Sequence, residues 1–311
     1  MSIFSIIVQQ ICIFITLGVV GVIAVKTGIL SEEALGHFSR YLMRIAIPVM
    51  IFTNTINGAT RQDLFDSLLI LLLAVVMYLC LLTLSAVLAQ VFHLQGNRRK
   101  VFRAVSSFGN VGFMGIPLLS ALFPETGMIY VALFTIVDQS VLWTVGVQLT
   151  QPEGEETKVS LGAALRKMVN PAIVSVLLAV IFVLLGWSLP TFLNTALTSV
   201  ANTTSPLSMI YIGGLFCFTD VRAYFRKAEL YGMVVFKMLL FPILFYVVLS
   251  RLPISQEIAV TMTVFAGLPT MSTIPMLATA SGSDGEYAVG ALIMTTAFSA
   301  LTLPLLGYLM M

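Results

Sequence analysis

The sequence predicts an all-α membrane protein with ten transmembrane helices, arranged as two inverted repeats of five helices, in which helices 4 and 9 are broken. Three observations lead to this prediction. Apolar residues form 59% of the 311-residue chain and charged residues only 10%, against about 45–50% and about 25% in soluble domains. The apolar residues fall into ten stretches, each near the roughly 20 residues that cross a bilayer. Two of these stretches carry prolines at matching positions.

A constant spacing of 158 residues indicates an internal duplication. It relates Ile116–Leu119, with the sequence IPLL, to Ile274–Leu277, with the sequence IPML. The same spacing relates four more identical pairs, which are Pro48 and Pro206, Gly28 and Gly186, Leu35 and Leu193, and Gly127 and Gly285. Proline is only about one residue in twenty, so two proline pairs at one spacing exceed what chance similarity between apolar helices explains. We therefore expect one repeat at 1–151 and a second at 158–311.

The polar residues between the apolar stretches delimit the predicted spans. The spans of the first repeat are expected at 5–25, 38–57, 66–92, 101–123 and 128–149, and those of the second at 170–188, 191–217, 231–250, 257–280 and 286–310. Because five is an odd number, the second repeat begins on the opposite side of the membrane from the first. The two repeats are therefore expected to insert in inverted orientation.

The positive charges predict the orientation in the membrane. With the N-terminus outside, thirteen of the sixteen Lys and Arg residues fall in cytoplasmic connections, whereas only Arg61 and Arg251 fall outside and Lys237 lies within the eighth span. This distribution follows the positive-inside rule. We expect a multi-pass protein of a bacterial inner (plasma) membrane with both termini extracellular or periplasmic. The longest connection, Gln151 to Ser160, is a predicted hinge between the repeats.

Composition argues against several other classes of protein. The three cysteines lie in apolar runs, and two histidines without a Cys/His cluster predict no metal site. A net charge of +2 does not indicate a nucleic-acid partner. The chain has no nucleotide-binding loop and no His-Glu-x-x-His motif, so we expect neither an ATP motor nor an enzyme, and no cofactor beyond a coupling ion.

The fourth and ninth spans are expected to be broken helices. Gly109, Gly112 and Gly115 precede Pro117, and Gly267 and Pro269 precede Pro275. Proline removes a backbone hydrogen bond, and glycine weakens the helix around it. Because freed backbone groups are tolerated in a membrane only where they are buried in protein or line a watery cavity, we expect the two segments to meet and form a site. The helices should restart at the two IP prolines, where their N-termini suit an anion and the preceding carbonyls a cation. The alternative is a proline kink in an ordinary bundle.

The run from Gly109 to Leu119, GNVGFMGIPLL, resembles the fourth-span motif of the auxin efflux carrier family. That family includes plant PIN-type carriers and bacterial transporters for malate or malonate. Weaker matches are Asn170-Pro171 at the start of the sixth span, Ser205-Pro206-Leu207 in the seventh, and Lys237 before Pro242 in the eighth. The resemblance covers essentially the whole chain.

The resemblance implies an NhaA-like and bile-acid-symporter-like fold in which broken helices 4 and 9 cross. It also implies a scaffold of helices 1, 2, 6 and 7, a transport unit of helices 3–5 and 8–10, a homodimer formed through the scaffold, and elevator-type movement. The asparagine that helps to hold the substrate carboxylate in the plant carriers matches Asn110.

The expected function is secondary active transport of small organic anions, such as malate or malonate, coupled to protons or to sodium or uncoupled. The ninth span departs from the plant pattern in its proline spacing, and the long cytoplasmic loop of many plant members is absent. An auxin-like aromatic carboxylate is therefore the alternative substrate. An anion channel and a receptor that binds without transport are competing functions.

Polar residues near the two breaks are the candidate substrate ligands. Asn110 could offer its amide to a carboxylate or instead form a hydrogen bond between helices. Hydroxyls of the ninth span could donate to the substrate or merely satisfy the backbone. The predicted substrate set is Gly109, Asn110, Gly115, Pro117, Thr270, Ser272, Thr273 and Pro275.

Asp138 is the candidate for ion coupling, with Gln139 beside it. A carboxylate in the middle of a span costs about 2.5–3.5 kcal/mol on insertion scales, so we expect Asp138 to face a cavity and carry a proton or bind a cation. The alternative is an ion pair with Lys237, unless Lys237 snorkels to the membrane surface.

A polar patch before Pro206 is predicted to line the scaffold side of the substrate path. It contains Asn202, Thr204 and Ser205.

Overall fold

The computed structural model describes residues 2–154, 171–218 and 224–310. Every regular element in these ranges is a helix, accompanied by one isolated antiparallel bridge between Gly109 and Thr270. The predicted all-α class is thus confirmed for the described residues, while the ten spans and their inverted order stay predictions. Most of the predicted hinge, the motif residue Asn170 and the cytoplasmic cations Lys158, Arg166, Lys167 and Arg222 lie outside the described residues.

The helices follow the order of the predicted spans. Residues 2–154 contain α1 (Ile3–Lys26), α2 (Glu32–Tyr41), α3 (Ile47–Gly58), α4 (Arg61–Asp66), α5 (Leu69–Val91), α6 (Gly96–Ser107), α7 (Ile116–Leu122), α8 (Gly127–Val141) and α9 (Val147–Leu149). Residues 171–310 contain α10 (Pro171–Leu185), α11 (Thr191–Ala201), α12 (Thr204–Leu215), α13 (Ala228–Val235), α14 (Phe241–Leu249), α15 (Gln256–Gly267), α16 (Thr273–Ala280) and α17 (Gly285–Leu309).

Five helical stretches of the described chain are long and apolar enough to cross a membrane. These are Ile3–Lys26, Arg61–Val91, Gly127–Leu149, Ala228–Leu249 and Gly285–Leu309. Val111–Leu122 and Pro171–Leu185 are apolar but shorter. The fourth and ninth predicted spans are absent from the long set because each is interrupted near its middle.

Wide π-helical turns precede three of the prolines. The π segments Leu42–Ala46, Val111–Gly115 and Phe236–Leu240 end two residues before Pro48, Pro117 and Pro242, respectively. Proline has no N–H to complete the usual hydrogen bond four residues back, and in a π segment the bond reaches back five residues. The amide of Ile47, for example, donates to the carbonyl of Leu42. A further π segment, Leu142–Gly146, has no proline behind it.

Two of the glycine pairs related by 158 residues occupy equivalent positions. Gly28 and Gly186 follow α1 and α10 and have φ angles of 76° and 65°, which a residue with a side chain rarely adopts. Gly127 and Gly285 are the first residues of α8 and α17. The duplication itself and the inversion of the second copy stay predictions.

The chain forms two compact units. Among the described residues, the first contains 2–71, 111–136 and 171–218, and the second contains 72–110, 137–154 and 224–310. The chain therefore passes from the second unit to the first between Asn110 and Val111, inside the fourth predicted span. The division into scaffold and transport helices stays a prediction.

Candidate functional site

The interrupted parts of the fourth and ninth spans pair with each other inside the second unit. The chain is non-helical from Phe108 to Asn110, after α6, and from Leu268 to Ser272, between α15 and α16. The backbone N–H of Asn110 donates to the Pro269 carbonyl at 2.8 Å, and the backbone N–H of Met271 donates to the Phe108 carbonyl at 3.0 Å. These two bonds flank the Gly109–Thr270 bridge, and we call residues 108–110 and 268–272 the backbone pairing.

The sequence explains why the two segments of the chain can approach so closely here. A Cβ atom on Gly109 would lie 3.1 Å from both the Leu268 Cβ and the Phe265 carbonyl oxygen. Leu268 has an extended conformation, with φ −61° and ψ 146°, as expected for a residue that precedes proline. Glycine and proline thus supply the close contact and the extended backbone that the pairing requires.

The breaks lie earlier in each span than the sequence predicted. We expected the helices to restart at Pro117 and Pro275, but helical structure resumes at Val111, as a π segment, and at Thr273. Pro275 lies in the first turn of α16, where a missing N–H removes no helical hydrogen bond. Pro117 follows a π segment that accommodates it. The prolines therefore lie after the breaks rather than at them.

Thr270 is held by the protein on both its backbone and its side chain. Its hydroxyl donates to the Val105 carbonyl at 2.9 Å, and its amide donates to the Thr295 hydroxyl oxygen at 3.1 Å. Thr270 therefore satisfies backbone groups, which is the alternative that the sequence left open. Ser272 is buried at the N-cap of α16 and makes no side-chain capping bond, while Thr273 is half-buried.

The structure brings together only part of the predicted substrate set. Gly109, Asn110, Thr270 and Ser272 lie in the backbone pairing, and Asn110 is 2% exposed. Thr273 and Pro275 lie in the first turn of α16. The two remaining members belong to the first unit: Gly115 ends a π segment, and the Pro117 carbonyl accepts a hydrogen bond from the Gln10 side chain at 3.3 Å.

Lys237 contacts the backbone pairing from the π segment Phe236–Leu240. It is 1% exposed, and its Nζ donates to the Leu268 carbonyl at 2.6 Å. Both predictions for this residue are therefore wrong, since it neither snorkels nor pairs with Asp138. The physical reason is local: the last carbonyls of α15 lack helical partners, and a cation is favourable at a helix C-terminus.

Asp138 is buried in α8 and surrounded by neutral donors. Its carboxylate accepts a short hydrogen bond from the Tyr78 hydroxyl and a second, at 2.9 Å, from the Gln139 amide. The Trp143 indole in turn donates to the Gln139 side-chain oxygen at 3.3 Å. Within the described residues Asp138 makes no ion pair. Asp138 is thus a buried carboxyl group that no cation of the described residues neutralises.

Tyr78 is the main residue of this region that the sequence analysis missed. Its ring lies 5.4 Å from the ring of Phe108, the first residue of the backbone pairing, so it connects the Asp138 carboxylate to the break in the fourth span. The sequence contained one indication of its role. Tyr78 precedes Lys237 by 159 residues, close to the repeat spacing, and both contact residues at the start of a break.

The predicted scaffold patch lies in the first unit, at the junction of α11 and α12. Asn202 is exposed and Ser205 half-buried, whereas Thr204 is buried and its hydroxyl has no hydrogen-bond partner in the described part of the chain. The Tyr41 and Thr203 hydroxyls lie 3.2 Å apart beside it. A role of this patch in the substrate path stays a prediction.

Comparisons with known proteins identify the class of molecule. A family model described as membrane transport protein matches residues 6–307. A protein of Rhizobium meliloti named "Putative malonate transporter" is 24% identical over 293 residues, which cover 89% of this chain and 87% of that protein. An uncharacterized transporter of Methanocaldococcus jannaschii is 24% identical, with coverage of 96% and 97%. Another, from Methanothermobacter thermautotrophicus, is 25% identical, with coverage of 94% of both proteins.

Proposed function

The chain belongs to the membrane transport protein family, the auxin efflux carrier family to which its fourth-span motif pointed, and from this membership we propose that it is a secondary active transporter of small mono- or dicarboxylates. Malate and malonate are the substrates to test first, since one relative carries the name of a malonate transporter. Movement by an elevator mechanism, dimerisation through the scaffold, and location in a bacterial inner membrane with external termini belong to the same proposal.

The backbone pairing is the observation that carries this proposal. Transporters commonly bind substrates where interrupted helices meet, because helix ends provide backbone groups and partial charges at membrane depth. Here Asn110 supplies a side-chain amide at that place, and the N-terminus of α16 starts three residues after Thr270. Both features suit a carboxylate, which accepts hydrogen bonds and favours the positive end of a helix.

Asp138 is the proposed coupling group. Within the described residues its hydrogen-bond donors are the neutral Tyr78 and Gln139, and it pairs with no cation. Protonation of the carboxylate therefore breaks no ion pair there. Proton binding would then act on the break in the fourth span through the contact between Tyr78 and Phe108. Sodium coupling is the rival possibility within the same proposal.

Uptake by the purified protein in proteoliposomes tests the proposal. Labelled malate and malonate are supplied under an imposed pH gradient and, separately, under a sodium gradient. We expect saturable uptake driven by one gradient, whereas flux that never saturates would indicate a channel. If neither gradient drives uptake of either compound, small dicarboxylates are the wrong substrates and aromatic carboxylates are tested next.

Asn110→Ala tests the location of the site. Loss of an amide donor to a charged carboxylate costs about 1.5–3 kcal/mol, so we expect the apparent affinity to fall about tenfold or more. Asn194→Ala is the matched control, because the hydrogen bond of Asn194 with Asn57 lies at an exposed position. An unchanged KM in Asn110→Ala would place the substrate elsewhere.

A further inference from the structure

The first half of the fourth span contains two buried polar atoms that lack partners. The Nε atom of Arg103 is buried without a hydrogen-bond partner in the described part of the chain, where Arg103 also forms no ion pair. Ser106 is 2% exposed, and its hydroxyl likewise has no partner there. Buried polar groups without partners are rare in native proteins and point to a missing ligand or water.

These two residues share one face of α6. Residues three and four apart are neighbours on a helix surface, which places Ser106 next to Arg103. Ser107, on the adjoining side, is already occupied, since its hydroxyl contacts the Arg103 carbonyl at 2.8 Å and the Ser85 hydroxyl at 3.1 Å. Ser106 lies one residue before the end of α6, and the backbone pairing begins two residues later at Phe108. The unpartnered groups therefore lie in the last part of α6, which leads into the backbone pairing.

The other cations of this helix differ from Arg103. Arg98 pairs with Asp284 at 3.5 Å and lies 5.1 Å from the centre of the Tyr287 ring, and Lys100 donates to the Pro152 carbonyl at 3.3 Å. Arg99 is exposed and carries a like charge, so it cannot serve as a partner for Arg103. Because the buried Nε–H of Arg103 has lost its hydration without gaining a partner among the described residues, Arg103 is suited to bind an anion from outside the chain.

We propose that Arg103 and Ser106 form a second carboxylate-binding subsite, on the side of the backbone pairing that the charge distribution assigns to the cytoplasm. This inference rests on the proposed function, because the anion it would bind is the transported carboxylate. The guanidinium provides charged donors, and the Ser106 hydroxyl provides a neutral one.

The two subsites would be occupied in turn. Four helical steps and three extended steps separate the Cα atoms of Arg103 and Asn110 by about 16 Å at most. Helical side chains also incline toward the N-terminus, which carries the guanidinium farther from Asn110. We expect one malate or malonate molecule to bind Arg103 first and then to move to the pairing. Arg103 would thus capture the substrate on one side of the membrane.

Kinetics in oriented proteoliposomes test this inference. For Arg103→Gln we expect the apparent KM for malonate to rise about tenfold, as for the loss of one charge-assisted hydrogen bond, when malonate is supplied on the side of Arg103. From the opposite side we expect a smaller change. Ser106→Ala should shift KM in the same direction without altering any charge. Arg99→Gln, one turn away and exposed, is the matched control and should retain the wild-type KM.

Three outcomes would overturn the subsite. Equal effects of Arg103→Gln and Arg99→Gln on the apparent KM would mean that both act through the surface potential and not through a binding site. Wild-type kinetics in a folded Arg103→Gln protein, with an unchanged melting temperature, would show that Arg103 does not bind the substrate. An Arg103→Gln effect that appears in vesicles containing phosphatidylglycerol, but not in pure phosphatidylcholine, would assign the guanidinium to a lipid phosphate. Absence of carboxylate uptake by the wild-type protein would instead overturn the proposed function together with this subsite.

Discussion

At the scale of single residues, the second unit buries two ionisable groups in opposite ways. Lys237 donates to a backbone carbonyl that the end of α15 leaves without a helical partner. Within the described residues, Asp138 accepts hydrogen bonds from the neutral side chains of Tyr78 and Gln139. Neither group has an oppositely charged partner within the described residues.

Asp138→Asn should abolish the response of uptake to a pH gradient. The asparagine oxygen can still accept from Tyr78, but the NH2 group that replaces the second oxygen cannot accept from Gln139, and asparagine cannot exchange a proton. We expect substrate binding to persist while the imposed pH gradient no longer raises uptake, measured in proteoliposomes with and without the gradient. Gln148→Asn, a conservative change in α9, is the control. Full gradient-driven uptake by Asp138→Asn would move the coupling site elsewhere.

Lys237→Met should destabilise the second unit. Methionine has a similar length but no donor, so the buried Leu268 carbonyl would lose its partner at a cost of about 1–3 kcal/mol. We expect a lower melting temperature of the detergent-solubilised protein, with Lys237→Arg closer to wild type. Lys26→Met removes an exposed lysine at the end of α1 and should have little effect. A wild-type melting temperature for Lys237→Met would show that the bond to Leu268 contributes nothing to stability.

At the scale of elements, glycines control how closely helices approach. In the first unit α1 and α12 pack with their backbones in contact, since a Cβ atom on Gly213 would lie 2.0 Å from the Gly18 carbonyl oxygen. Small residues at such positions are typical of helix pairs in membranes, where close packing replaces the hydrophobic effect as the source of stability.

Gly213→Ala should therefore weaken the packing of α1 on α12. The added methyl group meets rigid backbone, and overpacking of this kind costs about 1–3 kcal/mol. Gly36→Ala is the matched control, because a Cβ atom there meets nothing within 4 Å and alanine favours a helix by up to about 1 kcal/mol over glycine. We expect the two variants to change the melting temperature in opposite directions. Equal melting temperatures would contradict the close approach of the two helices.

At the scale of the whole molecule, the charge distribution predicts the topology. The predicted topology can be tested with single cysteines introduced into one external and one cytoplasmic connection, in a protein whose native Cys12, Cys80 and Cys217 are replaced by serine. We expect a membrane-impermeant maleimide to label Gln62→Cys in intact cells, and Glu153→Cys only after permeabilisation, because both positions are exposed and are predicted on opposite sides. The reverse pattern would invert the topology and move the Arg103 subsite to the outer side.

The helical class and the positions of the described helices could be read from local sequence. Helix positions agree with the apolar stretches because the length and composition of each stretch are properties of the stretch itself. The glycine and proline clusters likewise located the two broken spans, since each weakens the helix in which it lies. The family followed from the run Gly109 to Leu119, and the match over residues 6–307 confirms it.

The sequence by itself determined the helical class, the membrane-spanning character, the family and the two segments that break. Only the tertiary structure decided where each break lies and which side chains contact it. Lys237 contacts Leu268, which lies 31 residues later in the chain. Tyr78 contacts both Phe108, 30 residues later, and Asp138, 60 residues later. The reason is physical: a residue's own propensity governs whether a helix continues, whereas the partner of a buried charge depends on which distant segment is packed beside it.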